Sequence, residues 1–282
     1  LSRGLGDVYK RQAFDLDHTV INSDGTMSDA TRTVIEQAIA EGIEIVPVSG
    51  RAFATFPESI GQIKGISYAV TSNGAAIYNK KTGERIHGVA IEYADLHSIL
   101  DAFAHYFHNG QITYEAFVDG VAYGGREYVE HPETFGVPER NVAYVQSTRK
   151  PVDDIIAFLS EHEEELDSLD IVAADTALYQ KIEEQIPLVT KSVYTTSAVS
   201  YRLEISHKNS GKATGLAYVL KLLDITPEET VAFGDGDNDA EMLEFAGLGV
   251  AMENATENCK AAADIVCDCC KNDGVARFLY GF

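Results

Sequence analysis

The sequence predicts an α/β protein with a mostly parallel sheet and a separate α+β domain inserted into it. Helix and strand patterns alternate near the start of the chain and again after Lys212, in the order that parallel sheets require. In the middle of the chain, Asp119-Gly120 separates two β-rich runs, a sequence typical of an antiparallel hairpin. With 282 residues, 45% of them hydrophobic, the chain is long enough for two cores.

The first predicted elements are a helix over residues 28–41 and a strand over residues 43–48. In the helix, apolar residues recur at helical spacing, Ser28 can cap the start, and Gly42 suits the turn that ends it. The strand is rich in β-branched residues, as is a second short run over residues 68–70. We therefore expect the parallel sheet to begin here.

The middle of the chain is organised differently. A helix is predicted over residues 93–107, and strands over residues 112–117 and 121–123 flank the hairpin turn. The other elements predicted in this region are helices over residues 153–166 and 174–185 and strands over residues 188–194 and 201–205. We expect residues 86–205 to form the inserted α+β domain.

Alternation of helix and strand resumes after the insertion. The predicted elements are helices over residues 212–223, 238–246 and 256–263 and strands over residues 230–233, 248–251 and 265–267. Because they continue the pattern of the first part of the chain, residues 13–85 and 206–282 are expected to form one domain around the insertion.

Residues 1–12 do not fit the strand that should lead into Phe14. A central parallel strand is continuously apolar, whereas Lys10, Arg11 and Gln12 are polar. We interpret residues 1–12 as a non-native N-terminal extension. The alternative is a genuine polar extension that precedes an unusually short first strand.

The charge balance restricts the partners of the protein. Asp and Glu outnumber Lys and Arg by 44 to 22, and the net charge of −22 repels nucleic acid and anionic lipid. No segment is apolar over the length of a membrane span, so we expect a cytoplasmic protein with neither nucleic-acid nor membrane partners. A phosphorylated substrate would be repelled at long range too, so its site must contain local cations.

Two acidic segments are candidates for catalysis and metal binding. Asp15 and Asp17 are two residues apart at a predicted strand end, so both carboxylates can face one substrate; alternatively, they only satisfy backbone donors in a turn. Asp235 follows another apolar strand, and Asp239 lies in the first turn of the next helix. Four converging carboxylates would repel one another, which favours a hard divalent cation with oxygen ligands, best Mg²⁺. A helix-loop-helix calcium site would need Glu where Ala246 stands.

Polar and cationic residues lie at two further element ends. Ser49, Gly50 and Arg51 follow the strand over residues 43–48, and Lys212 opens a helix. Each is a natural place to bind phosphoryl oxygens. Taken singly, Ser49 is better explained as a helix cap and Lys212 as a solvated lysine in a first turn.

Together these residues resemble the four motifs of the haloacid dehalogenase (HAD) superfamily, in the same order. The matching sequences are DLDHT at residues 15–19, VSGR at residues 48–51, the helix start at Lys212, and GDGDND at residues 234–239. TSNGA at residues 71–75 is similar to the Cof-type subfamily (HAD-IIB), in which an α+β cap follows. The resemblance implies a HAD-like Rossmannoid core and a cap, residues 86–205, that determines substrate specificity.

The resemblance also implies a function and roles for the matching residues. It implies Mg²⁺-dependent hydrolysis of a small phosphate monoester, a sugar phosphate or a phosphorylated cofactor, through an aspartyl-phosphate intermediate. The implied roles are Asp15 as nucleophile; Asp17 as general acid and base; Ser49, Gly50 and Lys212 as phosphate-binding residues; Asp15, the Asp17 carbonyl, Asp235 and Asp239 as metal ligands; and Asn238, Arg51 and Asn73 as supporting residues.

Some residues depart from the family pattern, and other functions compete. His18 and Glu253 stand where Gly is common, and Cys270 where Asn is usual. A phosphosugar mutase would share every motif, and a non-catalytic phosphate-sensing module is the alternative of another class. A dehalogenase would have no use for Asp17 or a metal. The oligomeric state has no signal in the sequence.

Overall fold

The structure, a computed structural model, describes residues 11–280, with Arg11 and Ala198 described in their backbone only. Its β-strands, in chain order, are β1 (Arg11–Phe14), β2 (Glu44–Pro47), β3 (Tyr68–Thr71), β4 (Ala76–Asn79), β5 (Arg85–Gly88), β6 (Ile112–Val118), β7 (Val121–Gly125), β8 (Arg149–Val152), β9 (Leu166–Ala173), β10 (Val193–Val199), β11 (Arg202–His207), β12 (Thr230–Gly234), β13 (Leu248–Met252) and β14 (Ile265–Cys267). Its α-helices are α1 (Asp29–Ala40), α2 (Glu58–Gln62), α3 (Tyr93–His108), α4 (Arg126–Glu130), α5 (Glu139–Thr148), α6 (Ile155–Glu161), α7 (Thr176–Val189), α8 (Lys212–Leu222), α9 (Ala240–Phe245), α10 (Glu257–Ala262) and α11 (Gly274–Tyr280).

The chain divides into two compact units. Unit 1 contains Leu1–Arg51, Phe56–His87 and Gly211–Phe282, and unit 2 contains Ala52–Thr55 and Gly88–Ser210. The predicted core range of 13–85 therefore needs a correction, because the short segment Ala52–Thr55 clusters with unit 2. Its Ala54 amide donates to the carbonyl of Gly120 at 2.8 Å, which ties this segment to the β6–β7 turn.

Unit 1 is built on a parallel sheet with the strand order β14-β13-β12-β1-β2. Both faces of β1 are buried: Ala13 packs with apolar residues of α8, α9 and α10, and Phe14 packs with those of α1 and α11. A small sheet, β3-β4-β5, adjoins through a parallel bridge between Val48 and Val70. The predicted parallel α/β core is confirmed. Because β1 lies between β12 and β2, the carboxyl ends of these three strands are neighbours.

The start of β1 includes two residues of the predicted N-terminal extension. Residues 1–10 of that extension lie outside the described residues, but Arg11 and Gln12 belong to β1. Gln12 is aligned with Val231 on one side and Ile45 on the other. Strand pairing uses backbone groups and accommodates a polar side chain, so the non-native origin of residues 1–12 stays a prediction. The Gln12 side chain is nevertheless buried, and neither of its amide atoms has a hydrogen-bond partner among the described residues.

We expect Gln12→Leu to stabilise the protein. Leu fills a similar volume and removes an unsatisfied buried amide, so the free energy of unfolding should rise by about 1–3 kcal/mol. Urea unfolding followed by circular dichroism measures the change. The control Gln180→Leu replaces an exposed glutamine on α7 and should stay within about 0.5 kcal/mol of the wild type. A Gln12→Leu protein no more stable than the wild type would contradict the expectation.

Unit 2 contains a six-stranded sheet with the order β10-β11-β9-β6-β7-β8, antiparallel except for the β7–β8 pair. The predicted hairpin at Asp119-Gly120 is confirmed, since both residues have the positive φ of a tight hairpin turn, 47° and 71°. One face of the sheet packs its apolar residues against α3, α6 and α7. The other face carries charged residues, with Glu115 and Glu204 both aligned to Asp170 on the central β9.

Two predicted elements of this region are wrong. The helix predicted over residues 153–166 ends at Glu161, and Leu166 opens β9 instead. The strand predicted over residues 188–194 begins only at Val193, because α7 continues to Val189. The physical reason for the first error is that Asp167, Ser168 and Asp170 are polar yet buried, so the first half of β9 lacks the apolar run of a central strand.

A buried ion pair holds the polar face of this sheet. Arg149 donates from Nε to Glu115 Oε1 at 2.9 Å and from Nη2 to Oε2 at 2.7 Å, and both side chains are almost fully buried. Tyr128 also donates to Glu115 Oε1, at 2.5 Å. Burial alone would raise the pKa of Glu115, but Arg149 and Arg202 lower it below its ordinary value.

We expect Arg149→Met to destabilise unit 2 by roughly 3–5 kcal/mol, because it leaves a carboxylate buried without its main cation. Since the pKa of Glu115 is lowered in the folded protein, its ionisation stabilises the fold above the unfolded pKa, and this contribution is lost as pH falls through the folded value. Hydrogen exchange of the β6 amides measures both effects. In the variant, protection should fall at a higher pH than in the wild type. Arg126→Met removes an exposed ion pair and should change little; equal effects of the two variants would contradict the argument.

Candidate active site

The ends of β1, β2 and β12 bring the predicted site residues together in unit 1. Asp15 follows β1 directly, and its amide donates to the carbonyl of Phe233 in β12 at 3.0 Å. Asp235 follows β12, and Ser49 lies just beyond β2, where its amide donates to the carbonyl of Val70 at 3.0 Å. The site therefore lies at the carboxyl edge of the parallel sheet, where open α/β sheets bind ligands.

A buried lysine joins two of the aspartates. Lys212, the first residue of α8, places Nζ 2.6 Å from Asp15 Oδ1 and 2.6 Å from Asp239 Oδ1. All three residues are buried. Burial would lower the pKa of Lys212, but the two carboxylates raise it well above its ordinary value, so the lysine is a fixed cation.

The second oxygen of Asp239 is also occupied. Asp239 Oδ2 accepts hydrogen bonds from the amides of Asp235 and Gly236, each at 2.9 Å. A carboxylate held by an ammonium group and two amides has little capacity left for a cation. Asp239 thus fixes the shape of the loop after β12 and the position of Lys212.

The donor set fits a hard divalent cation. Asp15, Asp235 and Asp239 offer carboxylate oxygens that all lie within 4.8 Å of one another. Burial and the neighbouring carboxylates raise the pKa of Asp15 well above its ordinary value, in spite of Lys212, and burial with the charge of Asp239 raises that of Asp235 to about 7. This cluster holds more negative charge than Lys212 balances, and Mg²⁺ with oxygen ligands would balance the rest.

Arg51 determines the position of Asp17. Its Nε donates to Asp17 Oδ2 and its Nη2 to Oδ1, both at 2.7 Å, which is a bidentate pair. Burial would raise the pKa of Asp17, but this hydrogen bonding and the charge of Arg51 lower it below its ordinary value. The Arg51 amide in turn donates to Ser49 Oγ at 3.2 Å, across Gly50. Sequence reasoning gave Arg51 only a supporting role without naming this partner.

The turn after Asp17 is tight. His18 has a φ of 61°, in the left-handed region, and its amide donates to the Ile21 carbonyl at 2.7 Å. This geometry explains why glycine, which adopts a positive φ without strain, suits the position. The His18 side chain is exposed, so it adds no packing to the turn.

The TSNGA sequence packs against the start of α8. The Asn73 carbonyl accepts a hydrogen bond from the Gly211 amide at 2.8 Å. The Asn73 side-chain oxygen Oδ1 accepts one from Asn238 Nδ2 at 3.0 Å. A Cβ at Gly74 would lie 2.0 Å from the Gly211 carbonyl oxygen, so only glycine fits there. The loop thereby holds the residue before Lys212 in place, a role for Gly74 that the sequence pattern alone did not indicate.

Further residues that sequence reasoning missed surround Asp235. Thr19 donates from Oγ1 to Asp235 Oδ1, and Asn254 donates from Nδ2 to Oδ2, each at 3.3 Å. The Thr256 amide donates to the Asp235 carbonyl at 2.9 Å. Thr19 stands in the DLDHT sequence and could have been suggested there. Asn254 and Thr256 come from a loop whose proximity only the fold reveals.

Comparisons with known proteins agree with this geometry. Residues 12–279 match the profile of haloacid dehalogenase-like hydrolases. The chain is 31% identical to Phosphatase YwpJ of Bacillus subtilis, over 95% of this chain and 97% of that protein. It is 27% identical to 5-amino-6-(5-phospho-D-ribitylamino)uracil phosphatase YcsE of the same organism, over 95% of this chain and 93% of that protein. A solved structure described as a HAD subclass IIB sugar phosphatase has a TM-score of 0.76, with 21% identity, over 97% of this chain and 98% of that one.

The chain therefore belongs to the haloacid dehalogenase-like hydrolases and is a phosphatase. The resemblance to the haloacid dehalogenase superfamily is confirmed, as are the HAD-like core and the fold class. In the described part of the chain, no helix combines the length and the apolar character needed to cross a membrane.

Proposed function

We propose that the protein hydrolyses a small phosphate monoester in a Mg²⁺-dependent reaction through an aspartyl phosphate at Asp15. The observation that carries the proposal is the buried contact of Lys212 with Asp15, beside the carboxylate of Asp235. A carboxylate that attacks a phosphate dianion meets repulsion, and fixed positive charge at the nucleophile lowers this barrier.

Asp15, Asp235 and the backbone carbonyl of Asp17 are the proposed magnesium ligands. Lys212 contacts Oδ1 of Asp15, and the remaining lone pairs of this carboxylate would serve the cation and the bond to phosphorus. Asp239, predicted as a fourth ligand, is better suited to hold Lys212 and the loop amides, because both of its oxygens are engaged. When bound, Mg²⁺ offsets the charge of the phosphoryl group and of the carboxylates around it.

The reaction then proceeds in two displacements. A carboxylate oxygen of Asp15 forms a bond to phosphorus while the bond from phosphorus to the ester oxygen breaks, and Asp17 gives its proton to that oxygen. Water next attacks phosphorus, Asp17 accepts a proton from the water, and the bond to Asp15 breaks to release phosphate. Because the Arg51 pair favours the ionised form of Asp17, those hydrogen bonds must loosen when Asp17 carries the proton.

Ser49, Gly50 and Lys212 are the proposed binding groups for the phosphoryl oxygens. Ser49 Oγ accepts from the Arg51 amide, so its own hydroxyl hydrogen remains available to donate. Asn73 and Asn238, bonded to each other, support this side of the site. The partner we propose is a small phosphorylated metabolite, with sugar phosphates as the first class and phosphorylated cofactors as the second. The relative named for a phosphorylated ribitylaminouracil supports a small phosphorylated metabolite as the substrate.

Phosphate release from a panel of monoesters, with Mg²⁺ or with chelator, tests the proposal. We expect release only with the metal and fastest from sugar phosphates. If the folded protein released no phosphate from any monoester, the hydrolytic proposal would be wrong. Conversion of phosphosugar isomers would then point to a mutase.

A further inference from the structure

We propose that Asn254 is a positioning residue that holds Asp235 against the turn after β1. The inference rests on the proposed function, in which Asp235 is a magnesium ligand. Asn254 lies in the loop after β13 and uses both ends of its carboxamide. Its Nδ2 donates to Asp235 Oδ2 at 3.3 Å and to the His18 carbonyl at 3.1 Å, and its Oδ1 accepts from the Cys270 amide at 3.2 Å.

The partners of Asn254 specify a carboxamide. A backbone carbonyl and an ionised carboxylate only accept hydrogen bonds, and a backbone amide only donates. An amide side chain matches this set with two N–H groups and one oxygen, and its orientation follows from the partners. An aspartate at residue 254 would set an oxygen against two acceptors, and an alanine would satisfy none of the three.

These contacts join the two loops that carry the proposed ligands. His18 belongs to the turn that follows Asp15, and Asp235 begins the loop after β12. The distance between the carboxylates of Asp15 and Asp235 depends on how these loops are held. Asn254 forms hydrogen bonds to both loops and to the Cys270 amide in the C-terminal segment. It therefore holds the two loops together without itself being a proposed metal ligand.

Within residues 11–280, each carboxylate oxygen of Asp235 has one outer side-chain partner. Thr19 donates to Oδ1 from the β1 side, and Asn254 donates to Oδ2 from the β13 side. Outer partners of this kind orient ligating carboxylates, and their loss typically costs about 10–100-fold in metal affinity or activity. The Thr256 amide holds the Asp235 backbone, but it does not contact the carboxylate.

Asn254 is suited to a local role because it is exposed. It buries little apolar surface, so its removal should leave the fold near its original stability. Glu253, its exposed neighbour, provides a matched control. The variants Asn254→Ala and Glu253→Gln can therefore be compared as folded proteins, with melting in chelator as the check on structure.

The experiment measures binding of Mn²⁺, used as the probe metal, by the electron paramagnetic resonance signal of the free ion. We expect Asn254→Ala to bind Mn²⁺ about 10-fold or more weakly than the wild type, whereas Glu253→Gln binds as the wild type does. The Mg²⁺ concentration for half-maximal phosphate release should shift by a similar factor, with a smaller loss of kcat at saturating Mg²⁺. Melting in chelator should be unchanged.

Two results would overturn the inference alone. One is unchanged Mn²⁺ affinity in Asn254→Ala, and the other is a loss of the folded state in chelator, which would make Asn254 structural. A wild-type protein that bound no Mn²⁺ would overturn the proposed metal site and this inference together. Metal binding therefore separates the failure of the inference from the failure of the proposed function.

Discussion

Asp15→Asn should abolish phosphate release, with a loss of roughly 10⁴-fold or more in kcat. The carboxamide has nearly the same shape as the carboxylate, so the strand end and the site should keep their geometry. What it lacks is the ionised oxygen that bonds to phosphorus. Initial rates of phosphate release at saturating substrate and Mg²⁺ measure the loss.

The control for this variant is Asp101→Asn, which makes the same change at an exposed residue of α3. It should retain the wild-type rate. If Asp15→Asn kept even one tenth of the wild-type rate, Asp15 would not be the nucleophile, and the proposed reaction would need another group to carry the phosphoryl. Loss of the fold in Asp15→Asn is detected separately by circular dichroism.

Lys212→Met should affect both catalysis and stability. Without the ammonium group, Asp15 and Asp239 are left together in a buried site, and breaking such a pair costs roughly 3–5 kcal/mol of unfolding free energy. Loss of fixed positive charge at the nucleophile should lower kcat by about 10²–10³-fold. Urea unfolding in chelator and initial rates in Mg²⁺ measure the two effects.

Added Mg²⁺ makes this prediction more specific. A divalent cation held by Asp15 and Asp235 supplies positive charge to the carboxylate cluster that loses Lys212, so Mg²⁺ should stabilise Lys212→Met more than it stabilises the wild type. Lys221→Met removes an exposed lysine of the same helix and should change neither stability nor rate. Equal stability of Lys212→Met and the wild type in chelator would contradict the charge balance that we describe.

The parallel core could be predicted from local sequence because β2, β12 and β13 carry mostly apolar runs where they are buried. Phe14 and Ala13 both face apolar helices, so β1 needs apolar residues on both sides, and the same holds for β12. The helix caps are equally local: Ser28 Oγ accepts the Thr31 amide, as the pattern indicated. Apolar runs and helix caps involve residues close together in the chain, so the sequence alone can predict them.

The central strand of unit 2 could not be predicted in the same way. In β9, Asp170 is buried beside Arg202 and in register with Glu115, and these partners come from distant segments. The segment around Asp170 mixes apolar residues with Asp167, Ser168 and Asp170, so it has neither the continuous apolar run of a buried strand nor a regular alternation. Burial of charge depends on partners far away in the chain, and no local pattern reports them.

Some residues of the candidate site could likewise be predicted from the sequence, and others could not. The aspartates could be found from their types and spacing, and Lys212 from the resemblance to the haloacid dehalogenase motifs. The bidentate contact of Arg51 with Asp17 and the contacts of Asn254 depend on loops that meet only in the folded chain. Sequence therefore indicates the reacting groups, whereas the groups that orient them require the structure.

Trapping of the phosphorylated enzyme tests the central claim most directly. The protein would be mixed with a rapidly hydrolysed sugar phosphate and Mg²⁺, quenched with acid within the first turnover, and digested for mass spectrometry. We predict a peptide that carries one phosphoryl group on Asp15, formed at the rate of the first turnover and absent in Asp15→Asn. Substrate turnover without any phosphorylated Asp15, under conditions that trap acyl phosphates, would contradict the account.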